Sequence, residues 1–330
     1  MTMDKLIAAF PNNIKESLEI ASKVNFKAPK NAIQNVLICG MGGSGIGGKL
    51  VSQWLQDELN VPVQLVQDYT FPSYVGKNTL VIGSSYSGDT EETLFCVEKA
   101  LKVGAHIIGI CSGGKLAAFC KNNELDYVLV PGGNPPRTAL AFSLGQLINI
   151  FVQLGFVNAN NLESFGKSAD LLNENEAEIK AEAHKLAAFL KDTFVMIYSA
   201  SNYEAVAIRA RQQFNENGKI LCCNHTIPEM NHNELVGWGL GNDNYGALFL
   251  DSGDWHERNV TRLQFSIDVI KSKTKNVFVL KTKGEDVIQR SLYLISVVDW
   301  ASFYLSELNN VDATEIDVIN NLKGQLSNLK

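Results

Sequence analysis

The sequence predicts an α/β protein made of two doubly wound parallel-sheet domains. Three observations support this fold class: the chain has 330 residues, short β-rich runs alternate with helical segments, and the alternation occurs twice. Single domains usually hold about 100–200 residues, so this length predicts two of them, which we place at 1–157 and 158–330. Strands that alternate with helices are typical of parallel sheets covered on both faces.

The first half contains five short apolar or β-rich runs. These runs predict strands at 36–40, 63–67, 79–83, 106–111 and 127–130. Helical spacing fills segments such as 47–60 and 90–103, and the apolar stretch 137–155 predicts a long helix. The polar stretch 158–182 is typical of a linker that leads into a surface helix.

The second half repeats this rhythm. Strands are predicted at 194–200, 219–223, 245–250 and 276–280, and helices at 202–215, 257–271 and 287–308. Ligands of doubly wound sheets bind where the carboxyl ends of the strands meet the following loops. The loops that follow strands are therefore the expected places for the chemistry of this protein.

Composition excludes several classes of function. The net charge is −6 and the pI is about 5.5, which argues against nucleic acid as a partner because phosphate polymers need a basic face. No apolar run approaches the roughly 20 residues that span a bilayer, so we expect no membrane partner. The six cysteines lack the spacing of a zinc site or of a disulfide-rich secreted module. We expect a cytoplasmic protein.

The first predicted strand runs into a glycine loop, residues 40–48, which contains six glycines and Ser44. Backbone amides can approach an anion closely where side chains are missing, and the N-terminus of the next helix adds positive partial charge. Three interpretations stay open: a cradle for a small phosphate, a dinucleotide site with Asp68 near the ribose, and a tight turn without a ligand.

The third predicted strand opens into a serine loop, residues 84–90, which is rich in hydroxyl groups. Ser85, Ser87 and Thr90 are suited to donate hydrogen bonds to a phosphate without adding charge. The alternative is helix capping by Ser87 or Asp89, but capping needs only one such residue. A dinucleotide fold has no use for this second loop, so the pair of loops favours a cup for one phosphate.

These two loops resemble the sugar isomerase (SIS) domain, a flavodoxin-like unit that binds phosphosugars. The resemblance rests on a Gly-Gly-Ser-Gly turn followed by Ser-Tyr-Ser-Gly-x-Thr-x-Glu-Thr. The duplicated architecture is similar to that of the phosphoglucose isomerase superfamily. The resemblance implies that Gly43, Ser44, Ser85, Ser87 and Thr90 hold the phosphate of a sugar.

Three further residues are candidates for catalysis, although chemistry alone does not select two of them, Glu216 and His232. Arg137 stands at the start of an apolar helix, where the helix dipole disfavours a positive charge. Its position after a strand end favours a role facing a ligand over that of an ordinary surface arginine. Glu216 is predicted to lie in a turn, where a lone glutamate is usually solvated. His232 is flanked by asparagines, a setting typical of an exposed polar residue. Carboxylate and imidazole are nevertheless the groups that sugar isomerisation needs.

A second resemblance selects these residues. Asn215-Glu216-Asn217, Asn231-His232-Asn233, Pro136-Arg137 and the two loops resemble the bifunctional phosphoglucose/phosphomannose isomerase family over nearly the whole chain. The resemblance implies that Glu216 is the base that moves a proton through a cis-enediolate and that Arg137 stabilises its charge. His232 would assist ring opening from the other subunit of a homodimer. No metal and no cofactor are implied.

The C-terminal segment also resembles this family, with one departure. Thr314 corresponds to a threonine that helps to admit both C2 epimers, and Lys323 to a lysine that reaches the active site. Ala313 stands where proline is usual, which leaves the register of the threonine open. Lys323 also fits an ordinary surface lysine.

The expected activity is the interconversion of glucose 6-phosphate and mannose 6-phosphate with fructose 6-phosphate. The alternatives are an SIS isomerase for another sugar phosphate and an SIS protein that senses a phosphosugar without catalysis. A metal site at Cys222, Cys223 and His225 is disfavoured, because adjacent residues of a strand point to opposite faces.

Overall fold

The computed structural model describes residues 1–326 and residue 328. It divides into two compact units, which are treated separately below. The first unit comprises Ala9–Glu174 and Lys283–Leu292, and the second comprises Met1–Ala8, Asn175–Thr282 and Tyr293–Lys330. The predicted domain boundary at 157/158 stays a prediction, because a compact unit and a homologous domain need not end at the same residue.

The first unit contains a five-stranded parallel sheet. Its strands are β1 (Asn35–Cys39), β2 (Val63–Val66), β3 (Thr79–Ser84), β4 (His106–Cys111) and β5 (Asp126–Leu129). Their order is β2-β1-β3-β4-β5, and every neighbouring pair is parallel. The chain passes from β1 to β2 on one side and returns to β3 on the other. This switch of direction opens a crevice beyond the carboxyl ends of β1 and β3.

The helices of the first unit cover its sheet. Helix α1 (Met3–Ala8) belongs to the second unit, and the first unit holds α2 (Phe10–Ala21), α3 (Gly42–Trp54), α4 (Glu91–Lys102), α5 (Gly114–Asn122), α6 (Leu140–Gln153) and α7 (Asn160–Glu174). The first twelve residues of α6 are all buried, as expected of a helix that is apolar on every side.

Two predictions for this region are wrong in detail. The helix predicted at 137–155 is preceded by a separate 3₁₀ turn, Pro136–Thr138, before α6 begins. The stretch 158–182 was predicted as a linker that leads into a surface helix, but the linker part forms α7, and the next helix begins directly after it. The polar composition of this stretch conceals an apolar stripe of Phe165, Ala169 and Leu172, which helical spacing places on one buried face.

The second unit contains a four-stranded parallel sheet. Its strands are β6 (Phe194–Ala200), β7 (Cys222–Ile227), β8 (Tyr245–Asp251) and β9 (Val277–Lys281), in the order β7-β6-β8-β9. The remaining helices are α8 (Glu176–Leu190), α9 (Glu204–Glu216), α10 (Glu234–Gly237), α11 (Glu257–Lys271), α12 (Val287–Leu308) and α13 (Asp317–Leu326). The predicted class of two doubly wound parallel-sheet domains is confirmed.

The strand predicted at 219–223 is wrong, because β7 begins three residues later and continues to Ile227. The chain is still turning after α9, since Lys219 has a φ of +56° and the amide of Ile220 donates to the carbonyl of Phe214. Strand β7 also lies at the edge of the sheet, where half-buried polar residues are tolerated. This explains why its sequence lacks the apolar pattern of a central strand.

None of the helices within residues 1–326 is long and apolar enough to cross a membrane.

Candidate active site

The glycine loop allows close approach of backbone segments at the carboxyl edge of the first sheet. A Cβ atom on Gly40 would lie 2.8 Å from the carbonyl oxygen of Ser84, and one on Gly43 would lie 2.9 Å from the carbonyl oxygen of Pro136. Contacts this short exclude any side chain. The glycines therefore bring the loops that follow β1, β3 and β5 together at one place.

Ser44 connects the glycine loop to the serine loop. Its side chain is buried, and its Oγ accepts a hydrogen bond of 3.0 Å from the backbone amide of Tyr86. Met41 occupies the N-cap position of α3 and has no side-chain oxygen with which to cap the helix. The N-terminus of α3 thus retains the positive partial charge that attracts an anion.

The serine loop is organised around the hydroxyl group of Ser85, which is 1% exposed. Its Oγ lies 2.8 Å from the Oγ1 of Thr90 and accepts a hydrogen bond of 3.1 Å from the amide of Gly88. Gly88 has a φ of +78°, and a Cβ there would lie 1.9 Å from the carbonyl oxygen of Gly113. The turn therefore requires glycine and places two hydroxyl groups side by side.

The capping alternative for the serine loop is wrong. Thr90 occupies the N-cap of α4 and makes no side-chain capping bond within the described residues. Asp89 instead uses its Oδ1 to accept a hydrogen bond from the amide of Lys115, and the Oγ of exposed Ser87 accepts one from the amide of Asp89. Neither Ser87 nor Asp89 therefore caps α4.

Arg137 joins this cluster from the loop after β5. It lies in the 3₁₀ turn Pro136–Thr138 and is only 4% exposed. Gly43 packs against the carbonyl of Pro136, the residue that directly precedes Arg137. A small cleft is lined by Gly43, Ser44, Ser84, Tyr86 and Pro136. The structure therefore brings Arg137 and the predicted phosphate-binding residues to one edge of the first unit.

Glu216 is half-buried at the last residue of α9, so its predicted place in a turn is wrong. The helix extends that far because the amide of Asn217 still donates to the carbonyl of Gln213. Helix α9 is fixed to α12 by a buried ion pair of 3.0 Å between Arg209 and Asp299. The carboxylate of Glu216 thus projects from a rigid support.

The segment of Thr314 lies near the C-terminal end of α9. The Nζ of Lys219 donates to the carbonyl oxygens of Glu216, at 2.8 Å, and of Glu315, at 2.6 Å. Thr314 donates from both its amide and its Oγ1 to the Oδ1 of Asp312, and these bonds lower the pKa of that carboxyl group. The structure thus brings the Thr314 segment close to Glu216.

Lys323 is not brought into this group. It lies on α13, all of whose residues are exposed. Its ammonium group makes no hydrogen bond or ion pair with any residue of 1–326 or with residue 328. The role that the resemblance implies for Lys323 stays a prediction.

His232 is exposed at the end of a 3₁₀ turn, Glu229–His232. The residues just before it are firmly held: Met230 is fully buried in a hydrophobic cluster, and the Nδ2 of Asn231 donates a 2.7 Å hydrogen bond to the Oγ of Ser266. The imidazole therefore faces outward from a fixed backbone.

The residues after His232 are held by a hydrogen-bonded chain. The carboxylate of Glu234 accepts from the hydroxyl of Tyr198 on β6 and lies 2.7 Å from the Nδ1 of His225 on β7. The Nε1 of Trp238 donates to the same tyrosine oxygen at 2.8 Å. Burial raises the pKa of Tyr198, so its hydroxyl stays protonated and continues to donate.

The disfavoured metal assignment finds no geometric support. Cys222 is buried and Cys223 is exposed, because they alternate along β7. Burial raises the pKa of Cys222 to about 12, which disfavours the thiolate that a metal needs. His225 is paired with Glu234. Across residues 1–326 and 328, no group of three histidine, cysteine or acidic side chains is arranged to hold a metal.

Sequence reasoning assigned no role to Tyr86, Ser112 or Glu234, which make central hydrogen bonds in these two clusters. The only local signal for Ser112 was its position after β4, at the same edge as the two loops. Glu234 directly follows the Asn231-His232-Asn233 motif, and this adjacency was its only signal in the sequence. Their partners come from other strands, so the contacts were invisible in the sequence.

Two family models match the chain. The SIS domain model matches residues 31–124, and the model of the bacterial phospho-glucose isomerase C-terminal SIS domain matches residues 179–326. The crevice with its two hydroxyl- and glycine-rich loops thus belongs to a protein of the SIS-domain class.

Relatives define the family more closely. A bifunctional phosphoglucose/phosphomannose isomerase of Caldicellulosiruptor bescii is 34% identical over 97% of each chain. A second, from Aquifex aeolicus, is 35% identical and covers 89% of this chain and 90% of its own. The chain belongs to the bifunctional phosphoglucose/phosphomannose isomerase family, as the motifs predicted.

Solved structures agree on the fold. The C-terminal domain of glucosamine-fructose-6-phosphate aminotransferase from Francisella tularensis superposes with a TM-score of 0.72 at 14% identity, over 94% of this chain and 96% of that one. The tagatose-6-phosphate ketose/aldose isomerase of Escherichia coli gives 0.67 at 14% identity, over 94% of both chains.

Proposed function

We propose that this chain interconverts glucose 6-phosphate and mannose 6-phosphate with fructose 6-phosphate. The observation that carries the proposal is the edge of the first sheet, where neutral hydroxyl groups, two helix N-termini and the buried Arg137 meet in a member of this isomerase family. We further infer that the protein works in the cytoplasm, because all six of its cysteines are free thiols, as is typical of a reducing compartment.

The phosphate of the sugar binds to the two loops. Hydroxyl groups donate to phosphate oxygens, and the N-termini of α3 and α4 add positive partial charge without a titrating group. The residues assigned to this task are Gly43, Ser44, Ser85, Ser87 and Thr90. Because none of these protein groups titrates, the charge of the cradle stays constant as the pH changes.

Proton transfer is assigned to Glu216. Its carboxylate removes the proton from C2 of the open-chain aldose, which leaves a cis-enediolate, and returns the proton to C1. The hydroxyl proton passes from O2 to O1 in the same isomerisation, which gives the ketose. The guanidinium of Arg137 stabilises the negative charge of the enediolate oxygens. His232 transfers the proton that opens the ring. Thr314 accommodates both C2 epimers, and Lys323 contacts the sugar.

We also propose that the enzyme is a homodimer in which His232 serves the site of the other subunit. Glu216 precedes β7 and His232 follows it, and a strand of six residues spans about 17 Å. Within one chain the two side chains therefore start from opposite ends of the second sheet. Val236 and Leu240, just after His232, are 81% and 91% exposed, and exposed apolar residues are typical of protein contacts.

The activity is tested with fructose 6-phosphate in the presence of EDTA, with glucose 6-phosphate formation coupled to a dehydrogenase. We expect turnover by the wild type and a loss of at least about a hundredfold in Glu216→Gln, since a general base contributes about 10²–10⁴. Glu257→Gln, at an exposed helix start, is the matched control and should keep full activity. Mannose 6-phosphate is the second substrate.

Other outcomes point to the alternatives. Binding of sugar phosphates without turnover of any of them would indicate a sensor. Turnover of glucosamine 6-phosphate alone would indicate an activity like that named for a Sulfolobus acidocaldarius relative, a D-glucosamine-6-phosphate 4-epimerase, which is 25% identical over 96% of this chain.

The shared site is tested by mixing two inactive variants, Glu216→Gln and His232→Ala, under conditions that exchange subunits. If His232 acts across the interface, each mixed dimer regains one intact site, and random exchange restores about a quarter of wild-type turnover. If both groups act within one chain, every site in the mixture lacks one of them. Absence of recovery despite verified exchange would overturn the shared site.

A further inference from the structure

Tyr86 connects the loops at the edge of the first sheet. Its amide donates to the Oγ of Ser44 at 3.0 Å, in the glycine loop. Its carbonyl oxygen accepts from the amide of Ser112, at 2.8 Å, and from its Oγ, at 2.7 Å. Its phenolic oxygen accepts a 3.3 Å hydrogen bond from the amide of Asn134, in the loop after β5. One residue of the serine loop thus contacts three neighbouring loops.

Only the bond to Asn134 depends on the identity of the side chain. The bonds to Ser44 and Ser112 use the backbone of Tyr86 and persist with any residue at this position. The hydroxyl of Tyr86 is therefore dedicated to the loop that leads to Arg137. Burial raises the pKa of this tyrosine, so the oxygen remains a neutral phenol across the working pH range.

The segment between Asn134 and Arg137 is stiff. It consists of Pro135 and Pro136, whose rings fix φ. Both the amide and the Oγ1 of Thr138 donate to the carbonyl of Pro135, at 2.9 and 2.8 Å. A rigid segment transmits the position of its first residue to its last. Fixing Asn134 therefore fixes the backbone from which the Arg137 side chain departs.

The opposite side of the segment is fixed by the glycine loop. The carbonyl of Pro136 lies so close to Gly43 that a Cβ there would approach to 2.9 Å. Tyr86 and Gly43 also line the same small cleft with Pro136. The backbone before Arg137 is thus held between the glycine loop and the phenol of Tyr86.

We propose that Tyr86 is a positioning residue for Arg137, through the bond from its hydroxyl to the amide of Asn134. It sets where the guanidinium stands against the enediolate oxygens and leaves the binding of phosphate unchanged. The inference rests on the proposed function, which assigns Arg137 to the enediolate. It adds to that function a specific link between the phosphate loops and the group that stabilises the intermediate.

The test is Tyr86→Phe, which removes one oxygen and keeps the ring and both backbone bonds. We expect kcat to fall about tenfold, as a misplaced catalytic group would cause, while KM and the inhibition constant of inorganic phosphate change less than twofold. A five-carbon aldonic acid phosphate, whose carboxylate mimics the enediolate, should bind about tenfold more weakly. In an Arg137→Ala background, Tyr86→Phe should have no further effect on either quantity.

The matched control is Tyr74→Phe, which removes a hydroxyl that donates to Gln64 on the edge strand of the same unit and should change neither kcat nor binding. Equal losses of phosphate and aldonic acid phosphate binding in Tyr86→Phe would overturn the inference, since the hydroxyl would then serve the cradle. Unchanged kcat and unchanged binding of both ligands would also overturn it.

Failure of the proposed function is distinguishable from failure of this inference. If the wild type turns over no sugar phosphate, the proposed activity is wrong. The ratio of the dissociation constants of inorganic phosphate and of the aldonic acid phosphate still reports whether the Tyr86 hydroxyl positions Arg137. A ratio that is equal in the wild type and Tyr86→Phe would then reject the inference on its own.

Discussion

The carboxyl edges of the two sheets differ in chemistry although the strands have equivalent order. In the first unit, β1 and β3 lead into loops of glycine and hydroxyl residues, with Ser44 and Ser85 buried at their centre. In the second unit, β6 and β8 take the corresponding places. The loops after these strands carry carboxylates and aromatic rings instead.

The carboxylates of the second edge are engaged in local hydrogen bonds. The Oδ1 of Asp251 accepts from the amide of Gly253 and the Nε1 of Trp255. The hydroxyl of Tyr203 donates to the Oδ2 of Asp254 at 2.8 Å. Fixed negative charge repels a phosphate dianion, which supports the proposal that phosphate binds at the first edge. The fold supplies two equivalent edges, and the residues of their loops give them different chemistry.

The largest expected effect comes from Gly88→Ala, which disrupts the close contact between the serine loop and the loop after β4 at the first edge. The added Cβ would overlap the carbonyl oxygen of Gly113, so we expect a loss of at least about 3 kcal/mol in the free energy of unfolding, as for the larger steric changes in folded proteins. Denaturant unfolding of the purified variant measures it.

Gly104→Ala is the control, because Gly104 has a similar φ of +74° but open space around a Cβ. Backbone strain alone should cost about 1–2 kcal/mol there. An equal decrease in the free energy of unfolding of the two variants would show that the close contact between the loops does not add to the cost of Gly88→Ala.

A smaller effect is expected from a direct comparison of Ser85→Ala with Ser252→Ala. Ser85 follows β3 and Ser252 follows β8, the equivalent strand, and both are buried. Removing one hydrogen bond to a charged ligand should weaken inorganic phosphate about tenfold in Ser85→Ala, as measured by competition against substrate. Ser252→Ala should leave phosphate binding unchanged, and a matching loss there would contradict the assignment of phosphate to the first edge.

The smallest effect concerns the opposite, amino edge of the first sheet, at His106. Burial lowers the pKa of this histidine, with Lys27 acting in the same direction and Asp126 opposing it. Because the unfolded chain takes up the proton first on acidification, the stability contributed by neutral His106 is present above about pH 6.5 and is lost as pH falls through the folded-state value.

Denaturant midpoints at pH 7 and pH 5 measure this contribution. We expect His106→Asn to reduce the pH dependence of the free energy of unfolding by less than about 1 kcal/mol, since the side chain is partly solvated. The isomerase KM should not change, because the residue lies far along β4 from the cradle. An identical change in the free energy of unfolding between pH 7 and pH 5 in wild type and variant would rule out a contribution from His106.

The sequence predicted those parts of the site that are local. The glycine and serine loops each lie at one strand-to-helix junction, so residue types alone pointed to an anion. The apolar stripe of α7 and the start of β7 were missed, because a polar composition concealed the first and an edge position the second. Glu216 was misplaced because α9 extends one residue beyond the predicted end at Asn215.

Other parts were not available to local reasoning. Glu216 and His232 were selected by family resemblance, since neither a lone glutamate nor a histidine between two asparagines forms a distinctive local pattern. The bonds of Tyr86 and of Glu234 join residues on different strands. Such pairs depend on strand order and register, which became visible only with the folded structure.

The contact between Gly88 and the loop after β4 has a consequence for protein design. The carbonyl of Gly88 accepts from the amide of Leu116, and a Cβ on Gly114 would lie 2.5 Å from the carbonyl of Ser87. The serine loop is thus backed by the main chain of a second loop, in addition to the side-chain bonds of Ser112 and Asp89. Transplanting the proposed anion site into another scaffold requires residues 84–90 and 112–116 as one unit. A library that varies these segments must keep Gly88 and Gly114 constant.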